Sequence, residues 1–299
     1  MTREKTLVRA VELWLPQGEL MTFGVGAYRG NGELAAARAR ASYSYGEALA
    51  GAVWTGGKVL LRKEPADTPE AAELLAAAGV DAGLWWPLFE SGRLVAVVSL
   101  LLSNRSEAPS CVEVWDVVDE LDVLKHGGGY YVHCTELERF SPLIQFPRGT
   151  GLPGLTWLSG EAQVMADVRQ SNAFVRAGLA VRCGLKHGIG VPIYRDRKVV
   201  QVLGMFGAAQ GSFVGATEIY HPRGSELGAA TLFDWSGRGS ALAGESAADA
   251  PGRQLAAQAL KTRAPALAEV GPAAAREISL ALPLHDRKGL KQVLVLQLV

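Results

Sequence analysis

The chain has 299 residues, 48% hydrophobic and 20% charged, an ordinary globular composition long enough for two or three domains. Its 30 basic residues balance 30 acidic ones, so bulk charge attracts neither nucleic acid nor an anionic membrane, and neither is expected as a partner. The three cysteines, Cys111, Cys134 and Cys183, are odd in number and form no CxxC pair, which argues against a disulfide scaffold and reads as reduced, mostly buried thiols.

The first residues lead into no apolar signal core, and a cytoplasmic location is expected. Val11, Glu12, Leu13 and Trp14 open a strand with alternating faces. Residues 33–40 and 70–78 are Ala-rich amphipathic helices. Between them come a helix ending near Trp54 and a short strand over 58–61. Residues 83–98 form a hairpin with Pro87 in its first arm. The apolar run 94–102, broken only by Ser99, is about half the ~20 residues a membrane span needs, and reads as a buried strand. Residues 104–110 are a polar connector.

From residue 112 the markers recur. Val112, Glu113, Val114 and Trp115 repeat the opening strand, and Asp116, Asp119, Glu120 and Asp122 read as a solvated turn. A Gly-rich helix ends near Trp157, a short strand covers 162–165, and a hairpin over 188–203 carries Pro192 and a charged tip at 195–198. After a connector at 208–215, Thr217, Glu218, Ile219 and Tyr220 open a third copy. It continues with a Gly/Ala/Ser-rich stretch, 236–251, read as a mobile loop. A helix follows over 252–260, then a strand at 265–268 and a hairpin over 278–296 with Pro283.

Equivalent markers lie about a hundred residues apart, a domain-sized period and not a solenoid one. The expected fold class is α/β of the α+β kind: three tandem domains over 1–104, 105–210 and 211–299, each an antiparallel sheet flanked by helices. The strand prolines belong at sheet edges or bulges, because they cannot donate a ladder hydrogen bond. The short connectors predict close contact between neighbouring units.

Phe146, Gly149, Gly151, Leu152, Gly154, Trp157, Gly160 and Glu161, then Met165, Asp167, Phe174, Gly178 and Leu179, then Gly190, Val191, Pro192 and Ile193, carry a family resemblance. Over about residues 112–207 this pattern resembles the GAF domain family. The first unit has Gly46, Glu47, Ala48 and Leu49 in place of the Gly-x-Gly-Leu element. The third has about half as many residues where the family carries its pocket-covering helix and loop, so ligand binding is not expected there.

The resemblance implies three GAF-like units and a small-molecule pocket, mainly in the second, between the sheet and the variable helix. Its candidate lining residues are Phe146, Trp157, Asp167, Phe174, Cys183 and His187, with the aromatics as apolar walls and Asp167 as an acceptor. The expected role is a non-catalytic regulatory protein that binds an unidentified small molecule and passes the signal to a separate partner protein, with homodimerisation as one route. The alternative is a ligand-free scaffold for dimerisation or docking, which filled cores in all three units would favour.

No catalytic residues are assigned. His133 and Cys134 are adjacent on a strand and point to opposite faces, whereas Cys183 and His187 share a face only if their segment is helical. The cysteines do not match the spacing of the family's thiol reductases. The histidines are dispersed, so no metal site is expected and no cofactor is required.

Overall fold

The computed structural model describes residues 6–66, 68–235, 252–270, 277–286 and 289–299. The first unit contains β1 (Val8–Gln17), β2 (Leu20–Ala27), α1 (Gly32–Arg38), β3 (Ser42–Ser44), α2 (Ala48–Gly56), β4 (Leu60–Lys63), α3 (Pro69–Ala77), β5 (Ala82–Glu90) and β6 (Arg93–Leu102). The second contains β7 (Ser110–Val118), β8 (Val123–Val132), α4 (Thr135–Phe140), β9 (Gln145–Pro147), α5 (Gly151–Ser159), β10 (Gln163–Met165), α6 (Ala177–Cys183), β11 (Leu185–Arg195) and β12 (Lys198–Ala208). The third contains β13 (Val214–Arg223), β14 (Glu226–Asp234), α7 (Arg253–Thr262), β15 (Ala266–Val270), β16 (Glu277–Asp286) and β17 (Gly289–Leu298). The loop read into 236–251 lies outside the described residues.

Each unit builds one antiparallel sheet. The strand orders are β3-β2-β1-β6-β5-β4, β10-β11-β12-β7-β8-β9 and β14-β13-β17-β16-β15. In each, the opening and closing hairpins join through their first and last strands, leaving the short middle strand at an edge. The three-residue strands β3 and β9, beside the opening hairpins, are an addition to the elements predicted. The prolines fit the topology: β4, β10 and β15 pair only as far as Trp85, Gly190 and Ala281. Pro87, Pro192 and Pro283 lie two residues further on, where no strand asks for an N–H.

Local chemistry sets the helix ends. Asn31 and Thr68 cap α1 and α3 by accepting the N–H groups of Leu34 and Ala71. Left-handed glycines, Gly57 and Gly160, close α2 and α5. These two helices pass very close to the chain before them: a Cβ on Gly51 or Gly154 would collide with the carbonyl oxygen of Ser44 or Pro147.

The period of two assigns the sheet faces. Val11 and Leu13, Val112 and Val114, and Ile219 all enter one continuous hydrophobic core shared by the three sheets. Trp14, Trp115 and Tyr220, one position out of phase, enter separate cores under each unit's own helices. The units therefore pack sheet to sheet, with helices outward.

Two side chains repeat the same contact between units. Gln201 accepts the backbone N–H of Val59 at 2.6 Å, joining the second unit to the first. Gln292 accepts that of Ala162 at 2.8 Å, joining the third to the second. Strand pairing makes Gln201, Gln292 and Ala96 equivalent, each one residue before the partner of the strand proline. The same pairing makes Val59, Ala162 and Pro265 equivalent, each one residue before the short strand's first pair. At the third junction the acceptor is missing and so is the donor. There the third unit meets the first through Glu269, which accepts the Tyr28 N–H at 3.2 Å, and through an Arg263–Glu90 ion pair at 3.0 Å. Every unit thus touches both others. No helix among the described residues is long and apolar enough to cross a membrane.

Candidate functional site

The glutamates of the three opening strands are fully buried. They lie on the helix side, in phase with the aromatic residue two positions on, which donates to them: Trp14 to Glu12 at 3.0 Å, Trp115 to Glu113 at 3.2 Å and Tyr220 to Glu218 at 2.5 Å. A buried carboxylate is costly unless its charge is met. In the first unit Arg38, the last residue of α1, meets it with bonds of 2.8 and 3.1 Å to the two oxygens of Glu12, while Tyr28 donates at 3.1 Å. In the third unit the Gly252 N–H and the Gln297 amide donate to Glu218, each at 3.0 Å.

The second unit solves the problem with a different piece of chain. Arg176, the residue before α6, is 3% exposed and grips both oxygens of Glu113 at 2.7 Å. Ser141 donates to the same carboxylate at 2.7 Å and accepts from Arg176 at 2.7 Å, and Tyr131 donates at 3.1 Å. The guanidinium carbon lies 5.3, 5.4, 5.5 and 5.6 Å from the ring centres of Trp115, Phe146, Phe174 and Phe206. Burial pushes the Glu113 carboxyl up, but the charge and hydrogen bonds of Arg176 outweigh it and hold the group below the usual carboxylate range. The Nε of Arg176 is buried without a partner.

All three cysteines gather beside this pair. Cys111, two residues before Glu113 on the same face of β7, Cys134 at the start of α4, and Cys183 at the end of α6 share one apolar cluster and are free. Cys134 is in hydrogen-bonding contact with both other thiols, and that from Cys111 most strongly lowers its pKa. Burial raises the Cys111 thiol well above its ordinary value and Cys183 to about 11. Among the described residues no group of three His, Cys, Asp or Glu side chains could hold a metal ion.

Phe146 and Phe174 stand around Arg176, and Cys183 joins the thiol cluster. Trp157 packs in the same core as Phe146 and Trp115, with Arg148 stacked over its ring at 4.0 Å. Asp167 is half-buried and paired with Arg169 at 2.6 Å. His187 lies on the other side of the sheet. A register shift between Leu185 and His187 turns it into the shared core, where it stacks on Trp235 at 4.3 Å and meets the Ser212 hydroxyl at 2.7 Å. Cys183 and His187 therefore do not share a face.

An open groove lies between the first and second units. It holds about 580 Å3, and its walls include Leu75 and Val80 from the first unit and Tyr130, Tyr131 and Glu138 from the second. Tyr131 separates this groove from Glu113. A second, more polar cleft of about 650 Å3 lies between the second and third units and is bordered by Trp157, Arg148 and Lys291. Phe146, Phe174, Cys183 and His187 border neither space.

The central residues were only partly visible in the sequence. Glu12, Glu113 and Glu218 stood out as repeated strand residues, and a carboxylate recurring inside an apolar strand signals a buried acid. Arg38 and Arg176 carry no such signal, since they occupy unrelated positions in their units.

No protein-family model matches the chain, and no curated protein is similar in sequence. Over about a third of its length the chain is similar to solved structures. One is a free methionine-R-sulfoxide reductase from Neisseria meningitidis in complex with its substrate, at 21% identity and a TM-score of 0.26, covering 33% of this chain and 51% of that one. A second is a GAF domain from A. aeolicus in an inactive state, at 19% identity and a TM-score of 0.26, covering 32% and 56%. A third is the GAF domain of an Acinetobacter phosphoenolpyruvate-protein phosphotransferase, at 15% identity and a TM-score of 0.27, covering 34% and 57%. The chain thus spans a little over half the length of these structures. Further reductases of the same name come from Staphylococcus aureus and Thermoplasma acidophilum. The expectation of a non-catalytic chain is corrected on this point: several of the solved structures it is similar to are methionine-R-sulfoxide reductases.

Proposed function

We propose that the protein is a small-molecule-binding regulatory protein built from GAF-like units, and that the second unit carries the ligand site, on the helix side of its sheet around Glu113. Phe146, Trp157 and Phe174 are its apolar walls, Cys183 lies at its margin and Asp167 at its outer edge. The signal passes to a separate protein partner. The observation that carries this reading is the position of Arg176: a buried charge on a surface run of turns, folded into an aromatic-walled carboxylate site that the sheet itself provides.

A small-molecule screen by thermal shift on the full chain, with native mass of the purified protein, tests it. The reading predicts a ligand that raises the melting temperature of the wild type and loses that effect in Phe174→Leu. Undiminished stabilisation in that variant places the ligand elsewhere.

A second reading, a ligand-free scaffold, is favoured by the filled helix-side cores of the first and second units, where arginine occupies the space a ligand would need. It predicts no ligand in the screen and a stable complex with a protein partner.

A further inference from the structure

We propose that the Glu113 site of the second unit is a receptor for the guanidinium group of a small cationic molecule, and that Arg176 is its internal occupant, displaced when that molecule binds. The inference rests on the second unit being the ligand-binding one and adds the chemistry of the ligand.

The site already recognises this head group. Two parallel bonds of 2.7 Å from Arg176 match both carboxylate oxygens, a planar fork that an ammonium cannot reproduce. The Ser141 hydroxyl accepts a further N–H, and four aromatic rings surround the cation. An anion is repelled by a carboxylate so enclosed, and a neutral donor gains less from it than a cation does.

The occupant is not fixed by the fold. The equivalent carboxylate of the first unit, Glu12, is also held at both oxygens by an arginine, Arg38, here through Nε and one terminal nitrogen. Arg38 ends the first helix after the opening hairpin, whereas Arg176 precedes the last helix before the closing hairpin. Two unrelated segments deliver the same group to the first two acids, while Glu218 of the third unit is met by neutral donors, so a guanidinium at Glu113 is not tied to a particular stretch of chain.

The tether of Arg176 suits exchange better than that of Arg38. Arg38 is helical and also donates to the Tyr43 hydroxyl at 3.0 Å. Arg176 follows a run of turns in which Gln170, Asn172, Ala173 and Val175 are exposed, and its Nε has no partner. The approach is acidic. The groove outside Tyr131 is lined by Glu64, Asp81 and Glu138 against the single cation Lys63, which favours entry of a positive ligand.

The test uses Arg176→Ala in the full chain, with methylguanidinium as the missing head group and methylurea as its neutral isostere. The expected result is a variant that melts below wild type, and whose melting temperature methylguanidinium raises saturably while methylurea does not. Wild type should need at least about tenfold more methylguanidinium, because the competent state is populated only when Arg176 has left. At that concentration, amide hydrogen exchange over residues 171–183 should speed up. Equal effects of the two additives, or none, overturn the cation site. Rescue of the variant with unchanged exchange in wild type overturns the displacement. If Arg176→Ala does not fold, Arg176→Lys keeps a charge in place and the same comparison of additives decides. A ligand that depends on Phe174 but is not cationic refutes this inference and leaves the proposed function standing.

Discussion

Val59 in the first unit donates its backbone N–H to the side-chain oxygen of Gln201 in the second at 2.6 Å. The donor is buried, so removing the acceptor strands it. Gln201→Ala should cost about 1–3 kcal/mol in urea unfolding, and Gln292→Ala the same at the next junction. At the third junction, Ala96→Gln with Pro265→Ala supplies both halves of the missing bond. Ala96→Gln alone buries an unpaired amide at a fully buried position and should destabilise the chain, and adding Pro265→Ala should recover about 0.5–1.5 kcal/mol of that loss.

His187 predicts an acid-sensitive junction between the second and third units. Burial, with Lys186 nearby, pushes its pKa down to about 4, from an ordinary value of 6.5. The unfolded chain therefore binds the extra proton between these limits. The neutral histidine's contribution is full above about pH 6.5 and is lost as pH falls toward 4. The shift corresponds to about 3 kcal/mol. Stability measured against pH should fall through this window, and His187→Phe, which keeps the stacking surface on Trp235, should flatten the slope by about one proton.

Arg38 and Glu12 should behave as a unit. Arg38→Met leaves a buried, unpaired carboxylate and should cost about 3–5 kcal/mol. Adding Glu12→Gln to that variant should recover most of the loss. Additive penalties in denaturant unfolding would show that the two side chains act separately.

Gly51 and Gly154 should tolerate no side chain. A Cβ at either position meets a backbone carbonyl, which cannot move aside as a flexible side chain can. Gly51→Ala and Gly154→Ala should each lower stability by about 1–3 kcal/mol, while Gly32→Ala, with open space around it, should not.

Much of the fold was legible because its signals are local and repeated. The repeated segments at Val11, Val112 and Thr217 lie inside β1, β7 and β13, which begin two or three residues earlier, and the helices expected to end near Trp54 and Trp157 end two residues beyond them. The strands β3 and β9 escaped because three residues carry no measurable alternation. Within the candidate site, the sequence pointed to Phe146 and Phe174 around the cation but could not show that Arg176 fills the space between them. A salt bridge spanning 63 positions leaves no periodic trace. His187 was drawn toward the site by proximity in sequence, and a single bulge beside it reverses its face.

The most direct test of the second unit as the ligand site is the NMR resonance of the Trp115 indole N–H, which donates to Glu113, with the Trp14 indole on Glu12 as an internal control. Addition of a ligand found by thermal shift should move the Trp115 signal and leave Trp14 in place. A bound ligand that leaves Trp115 unmoved, or moves both indoles alike, would contradict the account.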